Sequence, residues 1–118
     1  MIKKSKIKIP IYGGKMLIVF FDKESQDQII KEYGVKDLAN YDAVTLQAHG
    51  VVEFAMLFDT RRLTPGIIAH ESKHLLNYIF KYNGLKLDLD NDEAECYLLT
   101  WIVNRVHEAA RRYKLKIK

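Results

Sequence analysis

The chain predicts an α+β fold, a small mixed or antiparallel sheet packed against two long helices. Short β-rich apolar runs fill the first half of the 118 residues, and a clear helix start stands at Thr64-Pro65. The second half carries helical periodicity to about Arg112, with one break at Asn83-Gly84. Strands grouped first and long helices grouped after is the α+β order. With no repeats, low-complexity tracts or linkers, the chain reads as one domain, residues 1–118, long enough to bury a core without disulfides.

The elements follow in order. KIKIPIY (6–12) alternates Ile with Lys, Pro and Tyr as a strand does, and Gly13-Gly14 marks a turn. KMLIVFFD (15–22) is too short and too β-rich for a helix and reads as a buried strand. KESQDQIIKEY, Lys23 to Tyr33, is a polar amphipathic helix closed by Gly34, and VKDLANYD (35–42) adds at most a short helical turn. AVTLQAH (43–49) and VVEFAMLFD (51–59) are two further strands around His49-Gly50, either a hairpin or one long bent strand. Thr64 then supplies a hydroxyl N-cap and Pro65 the first helical position. That helix runs to about Tyr82 and stops at Asn83-Gly84, a left-handed ending. KLDLDNDEA (86–94) leads into the last helix, about Asn91 to Arg112.

Composition narrows the classes of function. The hydrophobic share of 48% and charged share of 29% are ordinary for a soluble domain. No uncharged apolar run is long enough to span a membrane, and no apolar signal core follows the basic N-terminus, so a cytoplasmic location is expected. Cys96 is the only cysteine, which excludes an internal disulfide and a cysteine-based zinc site. Any metal must be held by His and carboxylate. The net charge of +4 is concentrated in KKSKIK and RRYKLKIK at the two ends. Such ends serve nucleic-acid or acidic-protein contact in some proteins, and in most they are simply solvated.

The informative stretch is LTPGIIAHESKHLLNYIF, Leu63 to Phe80. Residues four apart on a helix share a face about 6 Å apart, so His70 and His74 can reach one metal ion. Glu71 sits about 100° around the axis, beside the histidines rather than in line with them, where it can act on a water as general base. A packed core histidine is the plain alternative for either His. Against it stands burial of two imidazoles and a carboxylate among Ile67, Ile68, Leu75, Leu76 and Ile79, costly unless a partner satisfies them. A catalytic zinc site needs a third protein ligand. No histidine follows closely, since His107 lies about 21 Å along the last helix from Glu93. Glu93, nineteen positions after His74, is expected at the edge of an apolar stripe formed by Ala94, Tyr97, Leu98, Trp101 and Ile102. Glu95 is expected to face solvent, and Asp92 is a rival that helix capping also explains.

His70-Glu71-x-x-His74 followed by Glu93-Ala94 at the start of a new helix resembles the gluzincin type of zinc metallopeptidase. It is similar in scale to minimal members encoded by phages and mobile elements, including those that cut repressors. The resemblance covers about Phe54 to Trp101 and speaks strongly for the site and weakly for the substrate. It implies zinc held by His70, His74 and Glu93, with Glu71 activating the zinc-bound water against a peptide bond of a protein or peptide substrate. It further implies that the strand before the motif helix, Val51 to Asp59, is an edge along which substrate lies. Asp88, Asp90 and Asp92 are candidates to orient the ligands. Tyr97, Tyr78 and the more distant His49 are candidates to stabilise the oxyanion. In so short a chain the cleft is expected to be shallow and to lack one wall. A zincin-like module that binds or inhibits a partner without catalysis, and a basic nucleic-acid-binding domain, are the two alternative functions.

Overall fold

The computed structural model describes residues 1–50 and 52–118, the side chains of Ala48 and His49 excepted. Four strands, β1 (Ile2–Lys8), β2 (Lys15–Phe21), β3 (Ala43–His49) and β4 (Val52–Asp59), form one sheet in the order β1-β2-β4-β3. Helix α1 (Gln26–Tyr33) joins β2 to β3, and α2 (Pro65–Tyr82) and α3 (Glu93–Arg112) follow β4. Single 3₁₀ turns lie at Leu38–Asn40 and Thr60–Arg62.

β4 sits centrally because both of its faces are apolar. Phe54, Met56 and Phe58 point to one side and Ala55 and Leu57 to the other, the alternation of a pleated strand. The first set joins Met16, Ile18 and Phe20 of β2 beneath Ile68, Leu75, Leu76 and Ile79 of α2 and Leu98, Ile102 and Val106 of α3. The second joins Val19 and Phe21 beneath Ile29, Tyr33 and Leu38. Three layers result, with α1 covering the face opposite the two long helices. A sheet buried on both faces explains why β2 and β4 read as continuous apolar runs rather than alternating ones.

β4 pairs parallel to β2 and antiparallel to β3, so the sheet is mixed and β3 and β4 form the hairpin alternative rather than one bent strand. The edges are β1 and β3. The expectation that Val51 to Asp59 forms a substrate-bearing edge is thereby overturned for its described residues, since β4 has a hydrogen-bonded neighbour on each side. Adjacent placement of β3 comes from the α1 connection, which delivers the chain to the far side of the β4 position before the hairpin turns back.

Element boundaries shift for local reasons. β1 begins at Ile2 and ends before Pro10, whose missing N–H cannot extend the ladder. α1 starts at Gln26 because Ser25 and Asp22 close a turn in which Ser25 N–H donates to Asp22 Oδ1 at 3.1 Å. Gly34 ends α1 at φ 72°, a conformation that favours glycine. In α2 the Thr64 hydroxyl accepts from Ile67 N–H at 3.1 Å, the cap expected from Thr64-Pro65. α3 starts two residues later than its sequence pattern, at Glu93. The basic ends are not loose: Ile2–Lys8 is a strand, Leu115 and Ile117 pack on the core, and Lys118 N–H donates to Leu63 O. Among the described residues no helix is long and apolar enough to cross a membrane.

The step from β4 to α2 is clamped by Asp59 and Arg61. Asp59 Oδ1 accepts from Arg61 N–H and Nε at 2.9 Å each, and Oδ2 accepts from Nη2 at 2.7 Å. Burial alone would push the Asp59 carboxyl up, and the Arg61 hydrogen bonds and charge outweigh it, leaving the group below its ordinary value. A carboxylate favoured in the folded state adds stability above its unfolded pKa of ~3.9, lost as pH falls through the folded value. Removing the guanidinium with Arg61→Gln is expected to move the acid-unfolding midpoint, followed by circular dichroism, to higher pH.

Ser72, fully buried in α2, has no hydrogen-bond partner for its hydroxyl among the described residues. Ser72→Ala removes an unsatisfied polar atom and improves helix propensity, so urea unfolding is expected to show a gain of about 1 kcal/mol.

Candidate metal site

α2 packs on β3 and β4, burying Ile68, Leu75, Leu76 and Ile79. The adjoining stripe of the same helix, Ile67, His70, Glu71, His74 and Tyr78, is left to line a cleft of about 680 Å³. Spacings of three and four keep these five on one side of the helix. Ala43, Val44 and Thr45 of β3 form the floor's edge, and Val35, Asp37 and Asn40–Asp42 form the opposite wall. The wall expected to be missing is therefore supplied by the connection between α1 and β3. Arg62 braces it, with Nη1 3.2 Å from Tyr41 O and 3.7 Å from Asp42 Oδ1. A hydrogen bond with Asp37 raises the Tyr41 phenol above its ordinary value, keeping it a neutral donor.

His70, Glu71 and His74 converge, with one ligand atom of each within 4.8 Å of the others. The two Nε2 atoms are 3.2 Å apart and the rings meet at 77°. Two nitrogens at the usual 2.0–2.1 Å from a tetrahedral zinc ion are separated by about 3.3 Å, so the imidazoles fit one ion. With no ion, the same distance suits an N–H of one ring donating to the other. The histidine rings are open to solvent, His70 with 65% of its side chain exposed, so the burial expected of the two imidazoles and the carboxylate holds for Glu71 alone.

Glu71 differs from its helix-wheel position. The wheel separates Cβ atoms by about 100°, but the glutamate side chain bends back so that Oε2 lies 3.8 Å from His70 Nε2. The residue is only 5% exposed, and Oε1 accepts from the Thr45 hydroxyl at 2.7 Å. Thr45 reaches it because the register pairs Thr45 with Met56, whose side chain faces α2. A neighbouring strand thus carries the hydrogen bond that satisfies the buried carboxylate.

Glu93 is not a member of this group and does not line the cleft. It is exposed in the first turn of α3, whereas Glu95 is half-buried and its Oε1 accepts from Asp88 N–H at 2.8 Å. The exposures expected of these two residues are reversed. The stripe of α3 that enters the core runs through Leu98, Ile102, Val106 and Ala109, not through Ala94 and Tyr97. At 100° per residue Glu95 lies about 60° from Leu98 and Glu93 about 140° from it. Asp88 accepts from Asp90 N–H, and among the described residues no hydrogen bond links Asp88, Asp90 or Asp92 to either histidine. Tyr97 is 73% exposed outside the cleft, while Tyr78 is half-buried inside it. The His49 side chain lies outside the described residues. His107, on α3, is not in the group. Cys96 is exposed on α3 and outside the group, and desolvation together with the charges of Asp92, Glu93 and Glu95 pushes its thiol up.

Thr45, Asp37 and Tyr41 escaped sequence reasoning. Alternation in AVTLQAH groups Thr45 with Ala43 and Gln47, but only the strand order shows which helix that face meets. No family model, curated protein or solved structure matches the chain.

Metal content by mass spectrometry after zinc loading and gel filtration is expected to be about one zinc per chain. It should fall to background in His74→Ala and persist in Glu93→Ala, since Glu93 is outside both the group and the cleft lining.

Proposed function

We propose that the protein is a small zinc-dependent metallopeptidase that hydrolyses a peptide bond in a protein or peptide substrate. The observation that carries this reading is the convergence of His70, His74 and a buried, hydrogen-bonded Glu71 on the wall of an open cleft beside an edge strand. His70 and His74 are metal ligands in this reading and Glu71 is the base; Glu93, expected as the third ligand, is not among the residues gathered with them. Bound zinc would supply Lewis acidity to a scissile carbonyl and lower the pKa of a coordinated water toward ~7.

The chain's own groups divide the remaining work. Glu71 accepts one proton from the attacking water as its oxygen bonds to the carbonyl carbon. The same carboxyl then returns that proton to the amine as the C–N bond breaks, so the base is regenerated. Tyr78 and Tyr41 line the cleft and are the phenol hydroxyls that could donate to the developing oxyanion. β3, rather than β4, supports an extended substrate. Its outer backbone groups have no strand partner among the described residues, and Ala43–Thr45 border the cleft.

The test is a library of extended peptides incubated with the zinc-loaded protein, cleaved bonds being read by mass spectrometry. Glu71→Gln is expected to keep its zinc and lose about 10²–10⁴-fold in cleavage rate, the scale of general acid–base catalysis. Equal cleavage by Glu71→Gln, or none by the zinc-loaded wild type, would sink the peptidase reading.

A further inference from the structure

We propose that Thr45 is a positioning residue that holds Glu71 beside the metal and keeps it from becoming a ligand. This rests on the metallopeptidase reading above. A carboxylate so close to two imidazoles has two fates: joining the coordination shell, or staying outside it as a base. The hydrogen bond from Thr45 bears on which of the two is taken.

A carboxylate oxygen and an imidazole nitrogen sharing one tetrahedral zinc ion are about 3.3–3.5 Å apart. Glu71 Oε2 stands 3.8 Å from His70 Nε2, near enough that a small movement would bring it into the same coordination shell. The other oxygen is engaged at 2.7 Å by the Thr45 hydroxyl. That hydroxyl has one proton and two acceptors within reach, Glu71 Oε1 and, at 3.3 Å, Glu71 O. The shorter contact takes the proton, and a hydrogen bond to a carboxylate is the stronger kind. Both residues are buried, Thr45 at 7% and Glu71 at 5% exposure, so water does not replace the bond cheaply.

The tether is also stiff. Thr45 lies within a strand, its register against Met56 is set by the core, and its β-branched side chain has few rotamers. Among the described residues no other side chain donates to the Glu71 carboxylate. Losing the hydroxyl leaves Glu71 in a dry pocket with the cation as its nearest partner, and a buried carboxylate moves to whatever satisfies it. The base then becomes a ligand.

Cobalt(II) replaces zinc as the probe, since its visible absorption reports coordination number and ligand type. Wild-type protein, Thr45→Val, Thr45→Ser and Thr45→Val/Glu71→Gln are loaded with one equivalent and titrated for affinity. Thr45→Val keeps the shape without the hydroxyl, and Thr45→Ala repeats the test should valine disturb folding. Expected is a changed spectrum and about tenfold tighter cobalt in Thr45→Val, the scale of changes next to metal ligands. Thr45→Ser should retain the wild-type spectrum, and adding Glu71→Gln to Thr45→Val should restore it. Mere packing by Thr45 predicts spectra and affinities identical to wild type in both Thr45→Val and Thr45→Ala, which would overturn the proposal. Failure of the wild type to bind cobalt would instead overturn the metal reading, and the role of Thr45 with it.

Discussion

The seating of β4 between β2 and β3 is the constraint on which the cleft depends. Its two apolar faces demand cover on both sides, which recruits α1 to one layer and α2 and α3 to the other. Because side chains alternate, the pairing of β4 with β3 decides that Ala43 and Thr45 face α2 while Val44 and Leu46 face α1. A slip of one residue would turn Thr45 away from Glu71 and put a larger apolar side chain against the carboxylate. The chemistry of the cleft is therefore set by a register that hydrophobic burial enforces.

Burying Glu71 is the costlier of two locally unfavourable features of α2. A carboxylate shielded from water requires hydrogen bonds or positive charge, and the chain supplies one through Thr45 and leaves the other oxygen toward the histidines. The contrast with Ser72 next to it is instructive. Ser72 faces the core with its hydroxyl unpartnered among the described residues, a small loss that the apolar packing of α2 absorbs. An ionised group could not be treated this way. Its retention beside two exposed imidazoles gives the site its directional character, with polar atoms converging on one point of the helix.

Helices and strands were legible where periodicity and punctuation agreed. Thr64-Pro65 and Asn83-Gly84 bracket α2 to the residue because capping chemistry is local. The same holds for Gly34 at the end of α1. The packing expected around Glu93 was misjudged because Ala94, Tyr97 and Trp101 look like part of a buried stripe, whereas the start of α3 extends past the core and leaves Ala94 and Tyr97 in solvent. An apolar residue on a helix records a capacity for burial, and whether a partner surface reaches it is a matter of docking. β4 was misjudged as an edge for a related reason. A doubly buried strand and a hairpin strand have similar composition, and order within a sheet leaves no trace in either strand alone.

By itself the sequence determined the local elements and the His70-Glu71-His74 constellation, because a helix converts spacing into shared direction through its own backbone hydrogen bonds. It determined too that any metal would be held without cysteine sulfur, apart from the single Cys96. Only the tertiary structure decided that β3 is the edge, that residues 35–42 wall the cleft, and that Thr45 rather than an acidic residue of the 86–94 segment holds the site's glutamate. The Thr45–Glu71 contact joins residues 26 positions apart, and it exists only because the β4 core brings separate segments together.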